Sequence, residues 1–212
     1  DHLIGVAITD GTKDILLLTD AGKANRFKES DVRAMGRTAR GVRGIKIQEG
    51  QKVISLVIPE EGGTLLTASD RGYGKRTEIT EFPTKGRGTQ GVKAMVVNER
   101  NGIIIGAVQV FENDEVMLIS DKGTLVRTSA DSVSCLGRNT QGVRLIKVAE
   151  KERLIGVERV CEPEEVDDGI EYLAADGTQT DEVETGVDAL VVDDAIETDD
   201  AEDQNAEDAD EE

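Results

Sequence analysis

The sequence predicts an all-β, propeller-like fold made of four-stranded blades, each encoded by a unit of about fifty residues. Three observations support this prediction. The marker Ile4-Gly5-Val6 recurs at near-constant spacing as Ile54-Ser55-Leu56, Ile105-Gly106-Ala107 and Ile155-Gly156-Val157. Gly-closed turns and a Gly-rich loop keep the same spacing. Apolar residues alternate or form short runs between turn residues, and only 2% of all residues are aromatic, which suits thin β-blades.

The strands of the first repeat are delimited by turn residues. The pattern predicts strands over 3–9, 14–19, 23–28 and 42–47. The Asp10-Gly11 pair and the Asp20-Ala21-Gly22 turn would join the first three strands into a meander, and a longer connection would lead to the fourth. Each repeat therefore supplies the four strands that a blade requires.

The repeats define two segments of the chain. Residues 1–160 hold repeats at about 3–52, 53–103 and 104–153, and a partial fourth repeat over 154–160. Three repeats and one strand are too few to close a ring, so we expect an incomplete disc whose open edges pair with other strands. Because the first residue is Asp1 rather than Met, we also expect the natural chain to begin upstream.

The charge of the chain is divided unevenly between these segments. The net charge is −19, but residues 161–212 hold no Lys or Arg and 23 of the 44 acidic residues. The remaining 21 acids face 25 Lys and Arg in residues 1–160, a net charge of +4. The acidic tail is expected to be disordered, with 187–196 as a short apolar stretch that could dock on the body.

Few residues could support catalysis or metal binding. Two cysteines, Cys135 and Cys161, and the single His2 cannot build a disulfide framework or a Cys/His zinc site, which favours a reducing cytosol. No apolar run is long enough to span a membrane, and no leader peptide is visible, so no membrane partner is expected. No acid, base and nucleophile form a constellation, so an enzyme is the weakest interpretation and no cofactor is expected.

One loop matches a nucleotide-binding motif by chance. GRGTQG at 86–91 fits the G-x-G-x-x-G pattern of dinucleotide-binding proteins. However, the residues that follow predict a strand rather than a helix, and Thr38 and Asn139 replace the middle glycine in the equivalent loops. The glycines are better explained by a tight connection between blades.

Basic residues recur in and beside these loops. They occupy equivalent places in the three repeats, which would align them along one rim: Arg26, Lys28, Arg37, Arg40 and Arg43; Lys75, Arg76, Lys85, Arg87 and Lys93; Arg127, Arg138 and Arg144. Single surface cations are usually only solvated, but cations in register favour a curved track for the phosphates of double-stranded DNA. A protein-binding propeller scaffold is the alternative. The acidic tail could compete with DNA for this track.

Three stretches resemble the C-terminal domains of the A subunits of bacterial DNA gyrases, which are type IIA topoisomerases. They are RFKESDVRAMGRTARGVRGIKI (26–47), GYGKRTEITEFPTKGRGTQGVKAMV (72–96) and GTLVRTSADSVSCLGRNTQGVRLIKV (123–148). The resemblance implies a β-pinwheel, whose blades exchange strands with their neighbours and whose rim wraps DNA without sequence specificity to support ATP-dependent negative supercoiling.

The same resemblance implies partners and compartment. The partners are the rest of the gyrase A subunit, together with the gyrase B subunit, in an A2B2 heterotetramer. ATP and Mg would be used through other domains, and the location would be cytoplasmic and chromosome-associated. The basic box of the family, Gln-Arg-Arg-Gly-Gly-Lys-Gly, is absent, and GRTARG, GRGTQG and GRNTQG resemble weaker versions of it. A C-terminal domain of the topoisomerase IV type is therefore the second interpretation.

Overall fold

The computed structural model describes residues 2–160, which form β-strands and one-turn 3-10 helices and contain no α-helix. The strands are β1 (Asp14–Thr19), β2 (Lys23–Lys28), β3 (Val53–Val57), β4 (Thr64–Ser69), β5 (Tyr73–Glu78), β6 (Val92–Lys93), β7 (Ile104–Val110), β8 (Glu115–Ser120), β9 (Leu125–Ser129), β10 (Val143–Arg144) and β11 (Leu154–Val160). Short helices over Glu29–Asp31, Ile79–Glu81 and Ala130–Ser132 follow the second strand of each hairpin. The predicted tail disorder and the docking segment 187–196 lie outside the described residues.

The strands form three antiparallel blades, which confirms the propeller-like all-β prediction. Two blades have four strands, in the orders β3-β1-β2-β6 and β7-β4-β5-β10, and the third has the order β11-β8-β9. Each blade takes its central hairpin from one repeat and its flanking strands from the next. The blades therefore exchange strands with their neighbours along the chain.

Two of the four strands predicted for the first repeat have the expected bounds, and two do not. β1 and β2 coincide with 14–19 and 23–28, but residues 3–9 form no strand and 42–47 form only a bridge from Ile45 to Thr89. The predicted meander is wrong because β1 pairs with β3 of the next repeat. A flanking strand forms on the hairpin of the preceding repeat, and among residues 2–160 no hairpin precedes the first repeat.

Hydrophobic residues are buried mainly between neighbouring blades. One cluster joins Leu16 and Leu18 of β1 to Leu65 of β4 and to Phe82, and a second joins the second and third blades. A small third cluster contains Tyr73, Met95 and Ile104. The hydrophobic residues therefore pack between neighbouring blades and do not form one deep core, as expected for thin β-blades.

The recurring Ile-Gly-Val markers meet at the inner ends of the blades. Residues 4–5, 54–56, 105–108 and 155–158 line one shared cleft. The hydroxyl of Ser55 accepts a hydrogen bond from the backbone N–H of Ala107 at 2.9 Å, which links neighbouring inner strands. The basic loops of the second and third repeats end in β6 and β10, which lie at the opposite, outer edges of their blades. The described residues contain no helix of the length and apolarity that crossing a membrane requires.

Candidate nucleic-acid interface

The Gly-rich loops of the second and third repeats lie along the outer strand of the preceding hairpin. In the second repeat the loop ends in β6, which pairs with β2, and in the third it ends in β10, which pairs with β5. A Cβ on Gly91 would lie 2.1 Å from the carbonyl oxygen of Ala24, and a Cβ on Gly142 would lie 2.5 Å from that of Gly74. These glycines therefore serve close backbone packing. A strand rather than a helix follows the GRGTQG loop, as predicted.

A buried polar side chain on the hairpin anchors each loop. In the first blade, Asn25 donates to the carbonyl oxygen of Gly86 at 3.3 Å and accepts from the Thr89 hydroxyl at 2.7 Å. In the second blade, Nζ of Lys75 donates to the carbonyl oxygens of Gly137 at 2.6 Å and Arg138 at 2.8 Å. Asn25 and Lys75 occupy equivalent positions in the first and second repeats, so an amide holds one loop and an ammonium holds the other.

Lys75 has no exposed surface, so it does not belong to the exposed basic track that the sequence predicts. Burial lowers the pKa of Lys75 to about 8; Glu81 acts in the opposite direction, and Arg138 lowers the pKa further. Its ammonium is used within the fold, where it donates to the loop of the next repeat.

Arg87 and Arg138 join each loop to the loop before it. Nη1 of Arg87 donates to the carbonyl oxygen of Arg43, and Nη1 of Arg138 donates to that of Lys93, both at 3.1 Å. Arg138 also lies 3.8 Å from a carboxylate oxygen of Glu81. These two predicted contact residues therefore hold neighbouring repeats together.

The arginines of the hairpins lie in ion pairs with carboxylates. Nε of Arg26 is 2.7 Å from Asp14, Nη1 of Arg76 is 2.8 Å from Asp131, and Arg127 pairs with Glu115. Arg76 also donates from Nε to the carbonyl oxygen of Val133 at 2.9 Å. The positive charges of all three are largely compensated by these partners.

The remaining predicted cations face solvent or an aromatic ring. Six of them are exposed, and no ion pair or hydrogen bond occupies their side chains among residues 2–160: Lys28, Arg37, Arg40, Arg43, Lys85 and Lys93. Arg144 is also exposed and donates to the Tyr73 hydroxyl at 2.9 Å. These seven residues, which we call the exposed basic set, lie in or beside the Gly-rich loops, apart from Lys28 at the end of β2.

Sequence reasoning missed two cations beside this set. Lys23 lies directly opposite Lys93 on neighbouring strands, and Arg100 lies over the ring of Tyr73 with its Cζ 5.1 Å from the ring centroid. Their positions do not carry a basic residue in all three repeats, so the repeat pattern did not mark them. Strand pairing brings Lys23 beside Lys93, and the turn that carries Arg100 brings it over Tyr73.

The described residues offer little for other chemistry. In residues 2–160 no group of three or more His, Cys, Asp or Glu is arranged to hold a metal ion. Cys135 is an exposed free thiol, and burial and the neighbouring Glu78 raise its pKa, which disfavours a reactive thiolate. Cys161 lies outside the described residues.

The fold defines the class of this protein, and the comparison with known proteins gives its family. The fold and the exposed cations define a β-propeller-like domain with basic outer loops. A family model described as "DNA gyrase C-terminal domain, beta-propeller" matches residues 13–60, 63–110 and 114–161, which is more than half of the chain. The chain belongs to this family. Each matched segment spans a hairpin and the inner strand that pairs with it.

Curated relatives and solved structures are consistent with this assignment. The DNA gyrase A subunit of Pseudomonas aeruginosa is 62% identical over 79% of this chain and 18% of the relative, and that of Escherichia coli (strain K12) is 53% identical over 84% and 20%. The chain therefore spans about a fifth of the length of these relatives.

The solved structure of a DNA gyrase A C-terminal domain has a TM-score of 0.67 and 28% identity, covering 71% of this chain and 51% of its own. The C-terminal domain of a DNA topoisomerase IV has a TM-score of 0.69 and 28% identity, covering 74% and 49%.

Proposed function

We propose that this chain binds double-stranded DNA without sequence preference and wraps it along the outer edges of the blades. The observation that carries the proposal is the exposed basic set, whose cations recur in the loops and have no carboxylate partner among residues 2–160. Arg and Lys in such positions neutralise backbone phosphates and release counterions. The described part of the chain presents no α-helix to a major groove, which favours contacts to phosphates over base readout.

The proposal extends to the protein of which this domain would be a part. We propose that it acts within a DNA gyrase, in an A2B2 assembly that comprises the B subunit together with the rest of the A subunit. There the wrapped DNA would support ATP-dependent negative supercoiling, with ATP, Mg and the cleavage chemistry supplied by other domains. We propose a cytoplasmic location in contact with the bacterial chromosome.

A topoisomerase IV-type domain is the second candidate, because its solved C-terminal domain matches this fold as well as the gyrase domain does. The named sequence relatives favour gyrase, since those at 53% and 62% identity are gyrase A subunits. The full-length protein, reconstituted with its B subunit, distinguishes the two. Negative supercoiling of relaxed plasmid supports gyrase, and decatenation without supercoiling supports topoisomerase IV.

DNA binding is tested by a salt titration of residues 1–212 with a labelled random-sequence duplex. Each phosphate contact contributes about −0.9 to the slope of log affinity against log salt. We expect the slope to become less steep by up to about 2.7 when three exposed loop arginines are replaced together: Arg37→Gln, Arg40→Gln and Arg43→Gln.

A matched control removes the same charge from arginines that are already paired. Arg127, Arg153 and Arg159 lie in ion pairs with Glu115, Asp70 and Asp114. The triple variant of these residues to Gln should change the slope far less. Absence of DNA binding by the unmodified chain at about 20 mM salt, or an equal effect of the two triple variants, would refute the proposed interface.

A further inference from the structure

Two arginines lie over a single tyrosine ring at the outer edge of the second blade. The Cζ atoms of Arg100 and Arg144 are 5.1 and 5.4 Å from the ring centroid of Tyr73, and Nη2 of Arg144 donates to its hydroxyl at 2.9 Å. Tyr73 is only 8% exposed and packs in a cluster with Met95 and Ile104. A fixed aromatic surface thus carries two guanidinium groups that have access to solvent.

Backbone structure fixes both arginines. Arg144 lies in β10 directly opposite Tyr73 of β5, so the two side chains share one face of the sheet. Arg100 lies in a turn in which its N–H donates to the side chain of Asn98 at 2.9 Å. The next residue, Asn101, is fully buried and donates to the carbonyl oxygens of Val96 at 2.6 Å and Gln141 at 3.2 Å. The turn that carries Arg100 is therefore tied to the loop that leads to Arg144.

The two charges are not compensated within the described chain. Six other arginines of residues 2–160 pair with carboxylates: Arg26, Arg76, Arg127, Arg138, Arg153 and Arg159. Arg100 and Arg144 have Tyr73 as their shared partner, and hydrogen bonding from Arg144 and then Arg100 lowers the pKa of Tyr73. Two like charges over one ring repel each other, and an anion between them would relieve the repulsion.

The available donors suit a phosphate group. A guanidinium carries five N–H donors in a planar fork, and stacking on a ring leaves the donors at its edge available. Such a fork binds two phosphate oxygens at once, and stacking reduces the rotamer freedom that is lost on binding.

We propose that Arg100 and Arg144, held in place by Tyr73, form a two-armed clamp for backbone phosphates of duplex DNA. This proposal rests on the proposed DNA-binding function and specifies one of its contact sites. Arg100 and Arg144 contact the phosphates, and Tyr73 is a positioning residue.

The first blade carries a pair of lysines at the places equivalent to Tyr73 and Arg144. There Lys23 occupies the place of Tyr73, and it lies opposite Lys93, which occupies the place of Arg144. Two lysines also present two positive charges, but among residues 2–160 no aromatic ring lies against either of them, and an ammonium has no planar fork. The clamp of the second blade should therefore contribute more affinity than the lysine pair does.

The test measures affinity of residues 1–212 for a random-sequence duplex across a range of salt concentrations. Arg100→Gln and Arg144→Gln should each make the slope of log affinity less steep by about 0.9, and the double variant by about 1.8. At 0.1 M salt each single variant should bind about eightfold more weakly, with the difference vanishing towards 1 M. Lys93→Gln should give a smaller loss of affinity at 0.1 M salt than Arg144→Gln.

Arg159 provides the matched control. Its Cζ lies 5.0 Å from the ring centroid of Phe111, so it also lies over an aromatic ring, but its Nε is 2.6 Å from a carboxylate oxygen of Asp114. Arg159→Gln should leave the salt slope unchanged. Tyr73→Phe keeps the ring and removes the acceptor for Arg144, so it should weaken binding about two- to fivefold at an unchanged slope. Circular dichroism of each variant checks the fold.

The outcomes separate this inference from the function on which it rests. If the unmodified chain binds DNA with a salt-dependent affinity but the double variant binds with the same slope, the clamp is refuted and the DNA-binding function stands. A slope change in Arg159→Gln equal to that in Arg144→Gln would also refute the clamp. If the unmodified chain does not bind DNA, both proposals fail.

Discussion

Replacing Lys75 with methionine would test whether its buried ammonium holds the third repeat on the second blade. The side chain has no exposed surface, and its Nζ donates to the carbonyl oxygens of Gly137 and Arg138 and to the hydroxyl of Thr140 at 3.1 Å. Methionine has a similar length and no donor. Lys75→Met would thus leave the two carbonyl oxygens without this donor while preserving most of the packing volume.

The expected loss of stability follows from these contacts. A hydrogen bond from a charged donor contributes about 1.5–3 kcal/mol, and an unsatisfied buried acceptor costs a similar amount. Removing a buried charge offsets part of that loss, because burial of an ammonium is itself unfavourable. We therefore expect Lys75→Met to lower the free energy of unfolding by about 2–4 kcal/mol at pH 7.

The pH dependence provides a second and more specific signature. The folded-state pKa of Lys75 is about 8, and the ordinary value is 10.5. Between these values the unfolded chain retains a proton that folded Lys75 has released, so the free energy of unfolding rises with pH across this window. The gain approaches about 3 kcal/mol above pH 10.5, since one pKa unit corresponds to about 1.4 kcal/mol. Lys75→Met removes the titrating group, so its free energy of unfolding should not show this rise with pH.

Urea unfolding at pH 7 and at pH 9.5, followed by circular dichroism, measures both effects. The difference in pH dependence between the unmodified chain and the variant isolates Lys75, because the other titrating groups are common to both. Lys85→Met is the control, since Lys85 is exposed, and it should change stability by less than about 0.5 kcal/mol. An unchanged free energy of unfolding at pH 7, or the same pH dependence in Lys75→Met as in the unmodified chain, would refute the reasoning.

Two further predictions concern the loop backbone and the acidic segment. Gly91→Ala should destabilise the fold by about 2–4 kcal/mol, because its φ is +67° and its Cβ would lie 2.1 Å from the carbonyl oxygen of Ala24. Gly41→Ala, at the equivalent place with φ +79° and no atom within 4 Å, should cost only about 1 kcal/mol; equal losses in urea unfolding would contradict this explanation. Removing residues 161–212 should tighten DNA binding at low salt, since the segment carries 23 acids and no Lys or Arg; unchanged affinity would exclude competition by the tail.

The sequence predicts the hairpins well because their signals are local. β1 and β2 begin and end where expected, since alternating apolar residues and a Gly-closed turn determine both the strands and their pairing. The flanking strands depend on contacts between repeats. Residues 3–9 have the same apolar marker as β3, but the marker does not reveal which hairpin a strand will join. The sequence repeat gives the length of each repeating unit, but it does not indicate which hairpin a flanking strand pairs with.

The candidate interface is predictable as a region but not residue by residue. The spacing of the loops places Arg37, Arg87 and Arg138 at equivalent positions. Within residues 2–160, Arg87 and Arg138 donate to carbonyl oxygens of the loop before them, whereas no earlier loop is present there for Arg37. Lys75 could have been recognised as buried, because it alternates in β5 with Tyr73 and Thr77, which also face inward. The position of a side chain in the alternating pattern of a strand therefore predicts its exposure better than its charge does.

The Gly-rich loops bind neighbouring repeats to one another and also carry exposed cations. Arg87 donates to the carbonyl oxygen of Arg43, and Arg138 donates to that of Lys93. Arg43 and Lys93 occupy equivalent positions in the first and second repeats, so each acceptor lies one repeat before its donor. The backbone of Arg43 and Lys93 thus holds the next repeat, while their side chains remain exposed. One residue can serve both purposes because backbone and side chain point in different directions. This arrangement would keep exposed cations at fixed spacing along neighbouring blades, which a continuous contact with a regularly spaced phosphate backbone requires.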